Sequence, residues 1–596
     1  MEKTPDHQYE QALRDIGPLL TDYPGTRELR KGELAEFGAS FSTGFALGGL
    51  FPSTDIELVL LIPRASPFEV PRIALRSPTR TFDWPHVEAK NLLCLHDKDV
   101  YVDWREFENQ CYWLLERAKD LVRKALVGCG PGDYEAELLN YWDRANPLAP
   151  RLNVCCADLA KARELVGCQH RGQWFVAENI GDLERWLSRW FAKTDRMRVF
   201  QVPLIRTDVA LEPAAFPKCF ADLCRLCGVE GEAVAKKAAW TNGPSGFPFV
   251  LEIARNGTRS LVGGVVHLPD ARAAANLQHG QRTTFDPIAR GFRKRPPPGL
   301  YHARLQHGAA ELRTVRRFDP GWIHGRDKNS EQRVLQGKRI LVFGCGSIGS
   351  GVIDLLAKAG VGRMTFVDPE ILETENSSRH QLGTHLAGQH KTSALRSDIE
   401  RRFPHLVCHA VTTTAQEYIV NRYDELVQHD LIIDATAAWP LSSMLDFKAK
   451  ERKSFPPVLY LWAEEHCAAG HAYLVTTGGG CLACLCQPDG PMKNPVTKWE
   501  HAQRLAIPMC GGHFQPYGAI ALSFIQASGA GVALQSLTRL THATTYQVWV
   551  SSASYIASVG GQINTSWIDE YGVIPDGGGL LDITLKLKCE ACGRGR

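Results

Sequence analysis

The sequence predicts a multidomain chain in which an N-terminal α+β unit precedes α/β units, and three observations predict it. The first is size: 596 residues correspond to roughly three to four domains. The second is a change of pattern. Before residue 150, helical periodicity flanks a short run of strands, whereas after residue 330 short apolar strands alternate with helices. The third is a glycine-rich turn, Gly344-Cys-Gly346-Ser-Ile-Gly349, lying between one such strand and a helix. A series of this kind implies a mostly parallel sheet with helices on both faces.

Taken in order, residues 8–20 (QYEQALRDIGPLL) read as one amphipathic helix. FSTGFALGGLF and IELVLLIP suggest antiparallel strands, and PFEVPRIALRSP an extended segment held straight by its prolines. From Trp104 to Leu126 the apolar residues Phe107, Cys111, Leu114, Leu115, Ala118, Leu121 and Val122 recur at helical spacing. NPLAPRLN is a boundary, so domains are expected over 1–150, 151–320 and 321–596. The central domain mixes helical patterns (LAKARELV, LERWLSRWF) with strand patterns (FPFVLEIA, SLVGGVVH) and has no assignable fold. RKRPPPGLY (293–301) reads as linker, since three prolines join neither a ladder nor a helix interior. RILVFG, RMTFVD, LIIDAT, PVLYLW and AYLVTT supply the strands of the last unit.

Composition narrows the function. A net charge of +3 argues for neither a nucleic-acid partner nor a membrane surface. Apolar runs such as IELVLLIP and GAIALSFI fall short of the roughly 18 residues a spanning helix needs. The polar start MEKTPDHQYEQALRD is no signal peptide. Eighteen irregularly spaced cysteines then read as reduced thiols, some with metal or catalytic roles, in a cytoplasmic protein.

Gly344, Gly346 and Gly349 allow a tight turn and close backbone approach to phosphate at a helix N-terminus. Asp368 ends the next strand, where an acid binds a ribose hydroxyl; alone this points to NAD and a dehydrogenase. Asn376, Arg379 and Lys391 follow, and a further strand ends in Asp434. Two cations and an acid beside a phosphate cradle suit a triphosphate, whose leaving pyrophosphate must be stabilised. With these residues the sequence resembles the ThiF/MoeB adenylyltransferases, the superfamily of ubiquitin-activating enzymes. The resemblance implies a Rossmann-like adenylation domain in which Asp368 holds the ATP ribose and Asn376, Arg379 and Lys391 contact the phosphates. It implies Mg²⁺ at Asp434 and a homodimer, with Arg326 (WIHGRD) reaching the partner's ATP.

Cys481-x-x-Cys484 and Cys589-x-x-Cys592 are two knuckles whose four thiolates suit a closed, structural zinc site. In the resembled family two such knuckles flank the end of the adenylation domain. Cys486 lies beside the first knuckle without being a ligand, and Cys224-x-x-Cys227 has no partner pair and reads as structural. In activating enzymes a cysteine just before an apolar helix takes the modifier as a thioester, and Cys510 in PMCGG matches that place.

IELVLLIPRASPFEVPRIAL followed by WPHVEAKNLLCL resembles the core of ubiquitin-conjugating enzymes. Pro67, Phe68 and Pro71 match the family's proline-rich segment, and Cys94 matches its thioester cysteine. Trp84-Pro85-His86 replaces the family's H-P-N motif, whose asparagine stabilises the oxyanion as lysine attacks. His86 then either donates that hydrogen bond instead or leaves the role unfilled. His96 and Asp97 also neighbour the nucleophile or are solvated turn residues. Cys94 is expected at the exposed end of a strand.

The two halves together look like the fusion proteins of CBASS anti-phage operons, in which a ubiquitin-transferase-like protein acts on a cGAS/DncV-like nucleotidyltransferase. That likeness implies three steps: ATP adenylates a partner's C-terminal carboxylate, Cys510 forms a thioester, and Cys94 accepts the acyl group and passes it to an amine such as lysine. A ubiquitin-like modifier in another bacterial pathway, or a ThiF-like sulfur carrier, would use the same adenylation chemistry. A non-enzymatic interaction module would fit the altered H-P-N motif alone.

Overall fold

A computed structural model of the protein describes residues 5–592 apart from 53, 77–81, 97–102, 157–158, 160, 193–196, 243–245, 256, 269–304, 453, 502–504, 507–512, 515, 517, 539–542, 586–588 and 590. The proline-rich run 293–301, Asp97 and Cys510 lie outside the described residues. Three sheets organise the rest.

The first is an antiparallel meander of β1 (Arg27–Glu28), β2 (Phe41–Leu47), β3 (Glu57–Pro63) and β4 (Arg72–Arg76). Alternate residues of β3 enter two cores, as the two-residue period requires. Leu58, Leu60 and Ile62 meet Cys111, Leu115 and Ala118 of the long helix Phe107–Val127. Val59 and Leu61 face Leu29 and Phe37 on the other side. The N-terminal helix is broken: Pro5–Asp15 and Gly17–Thr21 are separate, with Pro18 in the first turn of the second. Proline lacks an N–H to continue the first helix but fits the start of another.

The second sheet has eight strands. In chain order these are β5 (Leu152–Cys155), β6 (Arg163–His170), β7 (Gln173–Ala177), β8 (Val199–Thr207), β9 (Phe247–Arg255), β10 (Thr258–His267), β11 (Ala309–Arg313) and β12 (Val315–Arg317). They lie side by side in the order β11-β10-β9-β8-β6-β7-β5-β12, with mixed directions. LAKARELV, read as helical, is instead the entry to β6. Pairing on both sides, with β7 and β8, overrides the helix-forming composition. A helix preceding β5, Leu138–Ala145, packs into this unit's core. Its Tyr141 and Trp142 meet Ile205, Phe247 and Phe249, and the Trp142 indole N–H donates to Gly263 O at 3.0 Å.

The third sheet begins with five parallel strands. These are β13 (Arg339–Phe343), β14 (Arg363–Val367), β15 (Val407–Val411), β16 (Leu431–Asp434) and β17 (Val458–Ala463), in the order β15-β14-β13-β16-β17. Beyond β17 the sheet turns antiparallel through β18 (Ala469–Val475), β19 (Thr545–Val550) and β20 (Gly579–Ile583). The mostly parallel sheet is therefore half the story. AYLVTT returns because the 3-10 turn Glu465–Cys467 leaves no chain for the helical crossover a parallel strand needs. The helix Ala519–Leu537 has a mean hydropathy of 1.4 and is long enough to cross a membrane, unlike the shorter runs counted in the sequence. Here it packs against the helix Ser347–Ala359: the Gln526 amide N–H donates to Ser347 O at 2.7 Å.

Arg317 ties the end of the second sheet to the segment that leads into the third. It is buried at the end of β12 and pairs with Asp319 at 2.7 Å and Asp327 at 2.5 Å. Removing one partner of such a network leaves buried charge uncompensated. Arg317→Met is therefore expected to cost about 3–5 kcal/mol and to lower the first thermal unfolding transition, read by calorimetry. An unchanged scan would contradict this role.

Candidate functional site

Gly344, Asp368 and Asp434 stand at the C-terminal ends of adjacent strands, where open α/β sheets bind ligands. Gly344 takes φ +86°, and a Cβ on Gly349 would fall 1.9 Å from Gly344 O, so the loop closes only with glycine there. Around Gly346 a Cβ would meet nothing, leaving open space before the helix Ser347–Ala359. Buried Asp368 braces the loop: its carboxylate accepts the Cys345 N–H at 2.6 Å and the Glu370 N–H at 2.8 Å. A second brace was invisible to motif reading. Burial lowers the His380 pKa to about 4, so the ring is neutral at pH 7. Its Nδ1 accepts the Leu382 N–H and its Nε2 donates to Cys345 O at 2.8 Å.

Lys391 opens the helix Lys391–Arg402, is buried, and pairs with the Glu370 carboxylate. The Asn376 side chain accepts the Glu373 N–H at 3.0 Å, and Arg379 donates to Glu375 O at 3.0 Å. Asp434 is buried, accepts from Thr436 and Ser442 hydroxyls at 2.6 and 2.5 Å, and has its pKa raised by that burial. Arg326 lies elsewhere, over the Trp322 ring at 4.9 Å, in a cavity against the second sheet.

The four knuckle cysteines converge. Cys481, Cys484, Cys589 and Cys592 place their sulfurs within 4.8 Å of one another, with two pairs at 3.7 Å. Four sulfurs about 2.3 Å from a tetrahedral metal would lie about 3.8 Å apart, so the donor set fits a metal ion. Asp446 anchors the first knuckle by accepting the Leu482 N–H at 2.9 Å. Cys486 is buried outside the cluster, and the Cys227 thiol donates to Leu223 O within its own helix.

Cys94 is half-buried in a loop rather than at an exposed strand end. A bridge between Val87 and Leu93 closes this loop, and the Cys94 N–H donates to His86 O at 2.8 Å. His86 takes φ +60°, and its N–H donates to Tyr141 Oη at 2.8 Å. The ring turns to Glu137, with Nδ1 at 3.2 Å from Oε1, and Tyr141 Oη donates to the other carboxylate oxygen at 3.2 Å. The Glu137 carboxylate also lies near enough to the Cys94 thiol to act on its ionisation. Burial, then the Glu137 charge, pushes Cys94 up to about 11, while the hydrogen bond to Glu137 raises His86 and lowers Glu137. No motif marks Glu137, so sequence reasoning missed it. Its signal is only an acid just ahead of an apolar helix. His96, two residues on in the chain, is intermediate in exposure.

The fold and these sites define a thiol-bearing E2-like domain joined to a ThiF nucleotide-binding domain. Residues 31–150 match the Prokaryotic E2 family B and residues 324–559 the ThiF family. Among curated relatives, the "ATP-dependent ubiquitin transferase-like protein Cap2" of Pseudomonas aeruginosa is 31% identical over 177 residues, 29% of this chain and 31% of that protein. The "Adenylyltransferase and sulfurtransferase UBA4" of Candida albicans is 29% identical over 103 residues, 17% of this chain and 23% of its own. The chain thus spans about a third or less of the curated relatives it matches. Among solved structures, E. coli MccB aligns over 45% of this chain and 68% of its own, at 15% identity and a TM-score of 0.31.

Two outcomes follow from the geometry. The purified chain is expected to carry one metal ion, measured by plasma mass spectrometry, and Cys484→Ser to lose it with a drop in thermal stability; a metal-free wild type would refute the site. Alkylation of Cys94, followed on its peptide, is expected to rise with pH toward about 11. Glu137→Gln, which removes a charge that opposes the thiolate, should speed it roughly fivefold at pH 8.

Proposed function

We propose that the chain activates a protein's C-terminal carboxylate with ATP and conjugates it to an amine. The observation that carries this reading is Cys94, held against the Glu137 carboxylate and His86 in the same chain as a braced nucleotide loop. The carboxylate of the partner attacks the α-phosphorus of ATP over Gly344, Gly346 and Gly349, and pyrophosphate leaves. Asp368 holds the ribose, and Asn376, Arg379 and Lys391 take the phosphates, Lys391 exchanging its Glu370 pairing for them. Mg²⁺ held by Asp434 would neutralise charge on the leaving pyrophosphate, and Zn²⁺ in the four-cysteine cluster would be structural.

Cys510 then attacks the acyl carbonyl and AMP leaves. In the next exchange Cys94 attacks the Cys510 thioester, its S–H proton passes by way of Glu137 to the departing Cys510 sulfur, which leaves as a thiol, and Glu137 is again a carboxylate. With the acyl group on Cys94, Glu137 is free of the thiol and takes the proton of the attacking lysine amine as the Cys94 thiolate leaves. His86, whose pKa is raised by its bond to Glu137, holds the sequence position of the family's asparagine and would steady the oxyanion.

The match to a protein called an ATP-dependent ubiquitin transferase-like protein supports conjugation. By the CBASS likeness, the activated partner is a cGAS/DncV-like nucleotidyltransferase; a ubiquitin-like modifier is the alternative. The chain is proposed to act as a cytoplasmic homodimer, with Arg326 reaching the partner's ATP. A sulfur-carrier adenylyltransferase is the second reading, favoured by the match to a protein named as a sulfurtransferase; it gives the Cys94 domain no task.

The test is a non-reducing gel of the chain with MgATP and a candidate partner. A thiol-sensitive adduct should require ATP, vanish with Cys510→Ala and stall on Cys510 with Cys94→Ala. AMP formation without an adduct on any partner would overturn conjugation and favour sulfur transfer. Glu137→Gln should slow discharge of the Cys94 thioester to lysine by about 100-fold, opposite in sign to its effect on alkylation. A merely structural Glu137 would not split the two readouts.

A further inference from the structure

A cavity of about 460 Å³ separates one end of the second sheet from the helices Pro320–Gly325 and Ser330–Gln336. Arg206, Arg255 and Arg259 line one wall, and Arg326, Lys328 and Arg333 the other. A neighbouring cavity of about 420 Å³ shares Trp322 and Arg326 and adds Arg151 and Arg316. For a chain of net charge +3, this is a steep local concentration of positive charge.

The carboxylates nearby do not balance it. Buried Glu252 pairs with Arg259 at 2.7 Å and Arg206 at 3.6 Å. Glu135 faces Arg255 at 3.5 Å, and Asp327 is engaged by Arg317. Among the described residues, Arg326, Lys328 and Arg333 form no ion pair within the cavity. Arg326 is instead held over the Trp322 ring, at a residue with φ +48°. Cations turned toward one another across a half-enclosed space repel, by about 1 kcal/mol per close pair in water and more as water is excluded.

We infer that this cavity is an oligophosphate-binding site, distinct from the glycine loop. Guanidinium forks match phosphate oxygens two at a time, and the volume lies within the roughly 300–1,000 Å³ of small-ligand pockets. Convergence of the cations selects the ligand class. An acidic peptide spreads same-face carboxylates roughly 6–7 Å apart along an extended backbone, whereas a di- or triphosphate gathers its charge in one small group. The source is either the pyrophosphate that adenylation releases or a nucleoside triphosphate.

The test is calorimetric titration of the full chain with sodium tripolyphosphate, beside a Lys328→Glu/Arg333→Glu double variant. Both residues are exposed, so the variant should keep its thermal midpoint. One tripolyphosphate per chain should bind the wild type in a salt-sensitive manner, and at least tenfold more weakly (about 1.4 kcal/mol) in the variant. Competition then separates the sources: displacement by pyrophosphate identifies the product, and displacement only by ATP identifies the nucleotide. Equal binding by the variant, no binding by the wild type, or stronger displacement by a poly-glutamate peptide than by either phosphate would overturn the proposal.

Discussion

The Glu137 carboxylate is the constraint on which the thiol site depends, because it must satisfy two units at once. It bonds His86 and bears on Cys94 of the first unit, yet it immediately precedes the helix Leu138–Ala145, whose Tyr141 and Trp142 are core residues of the second. The docking is further pinned by Tyr134, which donates to Asp83 O at 2.6 Å, and by Arg144, which donates to Val87 O at 3.3 Å. The thiol's environment is therefore set by a segment that a free-standing first unit would not hold in place. A carboxylate half-removed from water is costly unless its oxygens are satisfied, and here His86 and Tyr141 satisfy one oxygen each.

Buried carboxylates do the same joining elsewhere. Glu400 receives Arg189 of the second unit at 2.7 Å and the Cys408 N–H at 3.2 Å within its own. Glu464 gathers the Val496 and Thr497 N–H groups, both at 2.7 Å, with His471 at 3.1 Å. Asp368 fixes the glycine loop to the strand beside it, and Asp446 fixes the metal knuckle to a helix. Asp368 and Asp446 in particular hold backbone that has no ladder of its own, Cys345 and Leu482. Such backbone groups need partners once buried, and these two acids supply them in the glycine loop and in the first cysteine knuckle.

What the sequence disclosed follows from this arrangement. The places of Gly344, Asp368 and Asp434 at the ends of adjacent strands were legible because a glycine turn and strand-ending acids show in the strand pattern itself. The cysteine knuckles were legible because metal ligands come in short spacings. Glu137 and His380 were not, since each acts through a bond formed only when distant segments meet. The strand β6 was misread for a related reason: its helix-like composition is overruled by neighbours on both sides. Cys94 was expected at an exposed strand end; its half-buried loop setting is shaped by Tyr141 and Glu137 and left no trace around residue 94.

That setting bears on the direction of the proposed relay. A thiol pushed up to about 11 is a poor leaving group, because thiols of lower pKa leave faster. An acyl group that reaches Cys94 would therefore be slow to return to an ordinary thiol and slow to lose itself to water. The same property would hinder transfer to lysine unless something draws the amine's proton away. Glu137 lies where it can do so, and only after acylation has released it from the thiol. In the proposed relay one carboxylate would thus account for both a slow reverse transfer and a gated discharge, without any residue having to move between the two steps.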